Sequence, residues 1–319
     1  MSADVVVIGA GVAGLTTAVR LAESGLRVRV DADLPVGETT SAAAGAMWDP
    51  YLAEPQDAVA RWARATLSEL TALSSDKDTG IRVREGTQES RTPCPLPAWA
   101  DLVGARRCLP GELRDGFVAG WRYRAPVVDM PRYLEYLTRR FVQAGGAIRR
   151  HHHESLSQAM SEAPVVVNCS GSGARTLGDD PDVEPVRGRL VVVENPGIES
   201  FFCDDTPGAE ELTYIYPHSE TVVLGGTSDR GAWDRAPDDH AAEQIVRRCV
   251  AVEPSLAGAR VIEQRVGLRP VRKQVRLTAE QLGGGLLVHN YGHGGAGVTL
   301  SWGCAEEVLQ RVRGSEASS

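Results

Sequence analysis

Asp4-Val5-Val6-Val7-Ile8-Gly9-Ala10-Gly11-Val12-Ala13-Gly14 decides the reading of this chain. The apolar run 5–8 reads as a buried strand, and helix periodicity follows through about residue 24. Gly9 permits the tight turn, Gly11 lets a pyrophosphate approach the backbone, and Gly14 packs helix on strand. A second strand over residues 26–30 ends at Asp31, at the spacing of an acid that binds a ribose hydroxyl pair. The glycine pattern alone is weak. With strand, helix, second strand and acid in register, it predicts a bound dinucleotide.

The other end of the chain repeats the theme in His289-Asn290-Tyr291-Gly292-His293-Gly294-Gly295-Ala296-Gly297. An apolar strand, 286–288, runs into it, and Val298, Trp302, Ala305, Val308, Leu309 and Val312 then recur at helix spacing. Four glycines let the backbone approach a ligand, and the amides of a helix start favour an anionic oxygen. By itself the stretch also fits a loop that only needs positive φ. Strand 165–167 enters a further glycine turn at Ser170 and Gly171. Thr39-Thr40-Ser41 suits phosphate or ribitol contacts, or equally a cap on a buried alanine-rich helix.

Composition sets the bounds. The 319 residues are 42% hydrophobic and 24% charged, as in a globular protein with a full core. A net charge of -8 leaves no electrostatic footprint for nucleic acid or an anionic membrane. No apolar run approaches the ~18 residues of a membrane span, and the strand at residue 4 leaves no room for a signal peptide. The six cysteines lack CxxC pairing and read as reduced thiols, so a cytoplasmic protein is expected. His151-His152-His153 reads as solvated surface, because adjacent residues of a strand alternate faces; no metal is expected.

Between the two glycine motifs, the pattern predicts an amphipathic helix over 56–73 and a strand from 81. A helix capped by Asp129 ends at the Gly145-Gly146 pair. A hairpin joins 213–216 to 221–225, and a further helix covers 239–253. Residues 261–266 and 274–277 read as strands flanking a loop, Gly267-Leu268-Arg269-Pro270-Val271-Arg272. The fold expected is α/β, with a discontinuous Rossmann-type domain and an inserted antiparallel sheet.

On these motifs, together with Trp48-Asp49-Pro50-Tyr51, Pro185-Val186-Arg187-Gly188, Thr213-Tyr214-Ile215-Tyr216-Pro217 and Leu224-Gly225-Gly226-Thr227, the chain resembles the D-amino-acid oxidase family. These are flavoproteins of the glycine-oxidase and sarcosine-oxidase superfamily. The resemblance covers nearly the whole length. It implies noncovalent FAD bound by segments 1–55, 140–190 and 260–319, and a substrate domain of 56–139 and 191–259. It implies that Gly9, Gly11, Val12, Ala13, Gly14, Asp31, Thr39, Thr40, Ser41, Ala44, Gly45, Met47, Ser170 and Gly171 border the cofactor. Arg269, Gly292, Gly294, Gly295, Ala296, Gly297, Val298 and Thr299 complete that set.

The same resemblance gives Arg269 the substrate carboxylate as a bidentate partner, Tyr214 a further hydrogen bond to it, and the Gly295 carbonyl the substrate amine. Met47, Asp49 and Tyr216 belong to the substrate pocket, with Asp49, Glu210 and Glu211 at its side-chain end. The activity implied is oxidation of D-amino acids by molecular oxygen, and a homodimer is allowed; because the three acids would repel a second carboxylate, neutral and beyond them basic D-amino acids are the substrates expected. The alternatives are a D-aspartate oxidase, a dehydrogenase using another acceptor, and a flavin-binding module without turnover. The chain departs from the family in lacking a lid tyrosine over 207–212 and in placing Arg189 where a glutamine is usual.

Overall fold

A computed structural model describes residues 3–50, 53–209 and 211–316. Tyr51 and Glu210 lie outside the described residues. At its centre the Val5–Ile8 strand pairs in parallel with Val28–Ala32 on one side and Val165–Asn168 on the other. Ala147–Arg150 extends this sheet beyond Val28–Ala32, and Gly285–His293 extends it beyond Val165–Asn168, both in parallel. All four residues of the central strand are buried, as an uninterrupted apolar run in a sheet covered on both faces requires. The Val12–Glu23 and Gly297–Glu316 helices pack on each other over this sheet. Both carry glycine motifs at their starts, so the fold brings the two ends of the chain together.

The parallel sheet continues without a break into an antiparallel one, giving 15 strands in a single hydrogen-bonded network. The junction is the 22-residue strand Val261–Leu282, which pairs with Glu184–Glu194 and with Gly285–His293. Here the structure differs from the sequence expectation of two strands around a loop. Gly267 and Pro270 do not interrupt pairing, because Gly267 faces Gly188 and Pro270 faces Pro185. Neither proline asks the other for an N–H that it lacks. Register shifts between Val271 and Arg276 on one side and between Val261 and Glu263 on the other take up the irregularity. Arg269 therefore stands in a strand rather than a loop.

Beyond Glu184–Glu194 come Thr221–Gly225, Tyr214–Pro217, Phe201–Asp204, Ile81–Ser90, Ala119–Val128 and the short Ala46–Met47. One face of this sheet buries Trp121, Tyr123, Phe201, Tyr214 and Tyr216. The other buries Phe202, Ile215 and Val191 under the Asp239–Val252 helix. The Gln56–Leu73 helix packs against the closing helix, where Gly303 is required because a Cβ would lie 2.3 Å from the Trp62 backbone. Asp129 precedes the Met130–Gln143 helix but makes no side-chain capping bond. No helix among the described residues is long and apolar enough to cross a membrane.

Candidate active site

A cavity of about 660 Å³ runs along the carboxyl ends of the parallel strands and on toward the antiparallel sheet. That is the position open α/β sheets reserve for ligands, and the size falls in the usual range for small-molecule sites. Of the residues singled out from sequence, Gly9, Gly11, Val12, Ala13, Thr39, Thr40, Ser41, Ala44, Gly45, Ser170 and Gly171 line it. So do Tyr214, Arg269, Gly294, Gly295, Gly297 and Val298.

The glycine turn is built as its spacing implies. Gly9 has φ +107°, and a Cβ there would come within 2.5 Å of the Cys169 carbonyl. A Cβ on Gly14 would lie 1.9 Å from the Gly9 carbonyl, so Gly14 serves helix–strand packing and stands back from the cavity. Ser41 Oγ accepts from the Val12 amide at 3.0 Å, which ties the Thr39–Ser41 turn to the first turn of the helix. Residues 39–45 form turns and no helix, so the hydroxyl segment borders the cavity instead of capping buried alanines.

Asp31 is the clearest correction. It does not line the cavity and is fully buried. Arg29 donates to its two oxygens at 2.9 and 3.1 Å, Arg149 at 2.9 and 2.8 Å, and His153 Nε2 lies 2.8 Å away. Burial alone would raise its pKa. Arg149, Arg29 and His153 more than reverse that and hold the carboxyl below the usual range. With its oxygens so occupied, Asp31 is a structural ion-pair centre. Asp33, beyond the strand end, borders the cavity instead, with His152 Nδ1 at 2.9 Å.

The histidine run is likewise not all solvated surface. His153 is buried, and its ligand atom comes within 4.8 Å of those of His151 and Glu162. Arg29 and Arg149 already engage Glu162 there, at 2.5 and 2.9 Å.

Met47, Asp49, Tyr216, Gly292, Ala296 and Thr299 also stand back from the cavity wall. Gly292 packs on Arg272, and Ala296 is core. Met47 and Tyr216 belong to the aromatic core behind Tyr214. Thr299 holds the backbone of Asp49. Glu211 is drawn to Arg248 at 2.6 Å and is mostly exposed, away from the pocket. Arg189 is buried and donates to Asp229 at 2.8 Å.

At the antiparallel end of the cavity, the Arg269 guanidinium lies directly over Gly188, where a Cβ would sit 2.5 Å from its Cζ. One Nη1–H goes to the Thr227 carbonyl at 3.1 Å, and among the described residues no carboxylate pairs with the fork. The Tyr214 ring is buried against Gly225, and its hydroxyl interacts with Arg269. Burial raises the Tyr214 pKa and Arg269 offsets only part of that, so the phenol stays protonated and can donate. The result is a cation with free N–H groups beside a hydroxyl donor, facing a cavity: a receptor for a carboxylate.

Sequence reasoning missed several cavity residues. Gly188 was visible as part of a motif, but its role depends on cross-strand pairing. Cys169 and His293 also border the cavity. Burial pushes the Cys169 thiol up to about 12 despite hydrogen bonds from Thr17 and Asn290, and pushes His293 down to about 4. Neither is charged at neutral pH.

Residues 4–311 match the family described as FAD dependent oxidoreductase. The chain is 51% identical over 309 residues to the D-amino-acid oxidase of Rubrobacter xylanophilus, covering 96% of this chain and 94% of that protein. It is 37% identical over 327 residues to the D-aspartate oxidase of Homo sapiens, covering 98% and 95%. Its fold superposes on glycine oxidase from Geobacillus kaustophilus with a TM-score of 0.81 at 20% identity, covering 97% and 95%. The glycine cradle fits a dinucleotide on its own terms, since side chains at Gly9 and Gly11 would close the approach to the helix start. The chain belongs to the family of FAD-dependent oxidoreductases that includes D-amino-acid oxidase.

Proposed function

We propose that the protein is a D-amino-acid oxidase: it converts D-amino acids to 2-oxo acids and ammonia, with molecular oxygen reduced to hydrogen peroxide. The observation that carries this reading is the Arg269–Tyr214 carboxylate receptor at one end of a cavity whose other end is the glycine cradle. FAD, when bound, supplies the two-electron acceptor for the substrate α-hydrogen and passes those electrons to oxygen.

The chain's own residues do the binding and orienting. Arg269 takes the substrate carboxylate through its free N–H groups, and Tyr214 donates to the same carboxylate. The Gly295 carbonyl accepts from the substrate amine, which fixes which face of the α-carbon is presented. The substrate loses its α-hydrogen with an electron pair and becomes an imino acid, which water hydrolyses. His293, held neutral and hydrogen-bonded to Asn290 at 3.1 Å, is not needed as a base.

Toward the cofactor, Ser41 with Thr39 and Thr40, the Val12 helix start, and Ser170 with Gly171 would hold the phosphates and ribitol, and Asp33 the ribose. Helix amides following Gly294 and Gly295 would favour negative charge on the ring system. Segments 1–55, 140–190 and 260–319 form the cofactor domain in this reading, and 56–139 with 191–259 the substrate domain. Binding is noncovalent, because Cys169 is held as a thiol and His293 is engaged by Asn290.

The test is peroxide release across a panel of D- and L-amino acids, with a parallel oxygen-free reaction containing a dye acceptor. Peroxide from D-enantiomers alone supports the reading. Dye reduction without peroxide in air would make the enzyme a dehydrogenase.

A further inference from the structure

The cavity that holds Arg269 at its antiparallel end has a second arginine in its wall, and the mechanism above does not use it. Arg235 lines this cavity from the segment between the Thr221–Gly225 strand and the Asp239–Val252 helix. Its Nη1–H goes to the Glu38 carbonyl at 3.2 Å, and Glu38 directly precedes Thr39-Thr40-Ser41. Among the described residues no carboxylate pairs with Arg235, and its other N–H groups meet no acceptor. Arg235 and Arg269 are the two arginines of the cavity wall, and no lysine joins them.

The segment that carries Arg235 is pinned on both sides of it. Asp229 and Arg230 form a short strand paired with Arg187 and Val186. Arg187 donates to Asp229 at 3.0 Å and also to Asp234. Arg189 donates to Asp229 at 2.8 Å and to the Ala236 carbonyl at 3.4 Å. Asp234 and Ala236, the chain neighbours of Arg235, are thus both anchored to the Glu184–Glu194 strand. Arg189 stands where the family usually has glutamine, and its guanidinium fork is what reaches Asp229 and Ala236 together. With Asp229 and Asp234 taken by Arg187 and Arg189, Arg235 is left without a counter-ion of its own.

We propose that Arg235 is a phosphate ligand of the cofactor, closing on the pyrophosphate of FAD beside the Thr39–Ser41 turn. This rests on FAD lying along the glycine cradle, and not on which amino acid is oxidised. A pyrophosphate diester carries about two negative charges, whereas a helix start offers only about half a positive one. The Val12 amide is already engaged by Ser41 Oγ at 3.0 Å, so the cradle has one backbone donor fewer for the anion. A guanidinium held one residue before the hydroxyl turn supplies the missing charge and presents a planar fork to phosphate oxygens.

The experiment dilutes the FAD-loaded protein and measures flavin in the ultrafiltrate, which gives the Kd of FAD for the wild type, Arg235→Gln and Arg235→Lys at low and high salt. Glutamine removes the charge, and lysine keeps the charge but loses the fork. The Kd should rise about tenfold or more in Arg235→Gln, as the loss of a hydrogen bond to a charged group implies, with Arg235→Lys between the two. Added salt should loosen FAD more in the wild type than in Arg235→Gln, because only the wild type has this cation to screen. A Kd in Arg235→Gln within about twofold of the wild type would overturn the proposal. Equal weakening in both variants with the salt dependence unchanged would also overturn it, leaving Arg235 as a structural tie to Glu38 alone. A wild type that holds no flavin would overturn both this proposal and the cofactor assignment. An FAD-loaded protein that yields no peroxide from D-amino acids would count against the oxidase reading, while the Kd comparison would still decide the role of Arg235.

Discussion

The Thr299 hydroxyl clasps the backbone of Asp49 from both directions, accepting from its N–H at 3.0 Å and donating to its carbonyl at 2.8 Å. Thr299 is buried in the first turn of the closing helix, and Asp49 follows the short strand Ala46–Met47. The clasp therefore fixes the chain after that strand to the helix whose start borders the cavity.

Thr299→Val keeps the shape and removes both bonds. Leaving the Asp49 N–H and carbonyl without their partner should cost about 1–3 kcal/mol. Urea denaturation of the FAD-loaded protein measures this. A loss below about 0.5 kcal/mol, the range of ordinary surface changes, would show that the clasp has no structural weight.

Gly188→Ala separates stability from function. The new methyl would fall 2.5 Å from the end of the Arg269 side chain, which is flexible and can swing away at little cost to the fold. The melting temperature should move by only a few degrees, as a change of about 1 kcal/mol implies. KM for D-amino acids should rise about tenfold or more, because the carboxylate receptor is displaced. Unchanged KM would remove Arg269 from the site as described.

Much of this was legible in the sequence and some was not, for a physical reason that Gly14 and Asp31 illustrate. The role of Gly14 is local: it follows Gly9 by one turn-and-helix step, and the clash it avoids is with that same residue. The fate of Asp31 is decided by Arg149, which faces it across the strand pair, and by His153. Nothing in the sequence around residue 31 announces those partners. Arg269 was read as part of a loop, because Gly267 and Pro270 read as chain breakers until Gly188 and Pro185 are seen opposite them.

Asp31 and Asp33 should thus respond differently to substitution. Asp31→Asn leaves two arginines facing a neutral amide and should cost about 3–5 kcal/mol at pH 7. Because the folded-state pKa of Asp31 lies below its unfolded value near 3.9, this stabilisation is fully present above about pH 5. It is lost as pH falls through the folded value, so the gap between wild type and variant should be flat from pH 5 to 8 and close in acid. Asp33→Ala should leave stability within about 0.5 kcal/mol and weaken FAD binding by about tenfold. Equal effects of the two changes on FAD affinity would contradict the assignment.

Acid precipitation separates bound from attached flavin. With Cys169 held as a thiol and His293 engaged by Asn290, all yellow colour should remain in the supernatant. Flavin retained in the pellet would establish a covalent link.

The central claim is that Arg269 and Tyr214 present a D-amino acid to the flavin, and its most direct test is anaerobic flavin reduction. Mixed with D-methionine in the absence of oxygen, the FAD-loaded wild type should lose its visible flavin absorbance, while L-methionine leaves it unchanged. Arg269→Ala should weaken kcat/KM by several kcal/mol of transition-state stabilisation, since hydrogen bonds to charged groups contribute about 1.5–3 kcal/mol each. Tyr214→Phe should cost only about 1–2 kcal/mol. Bleaching by both enantiomers alike, or near-normal reduction in both variants, would contradict the account.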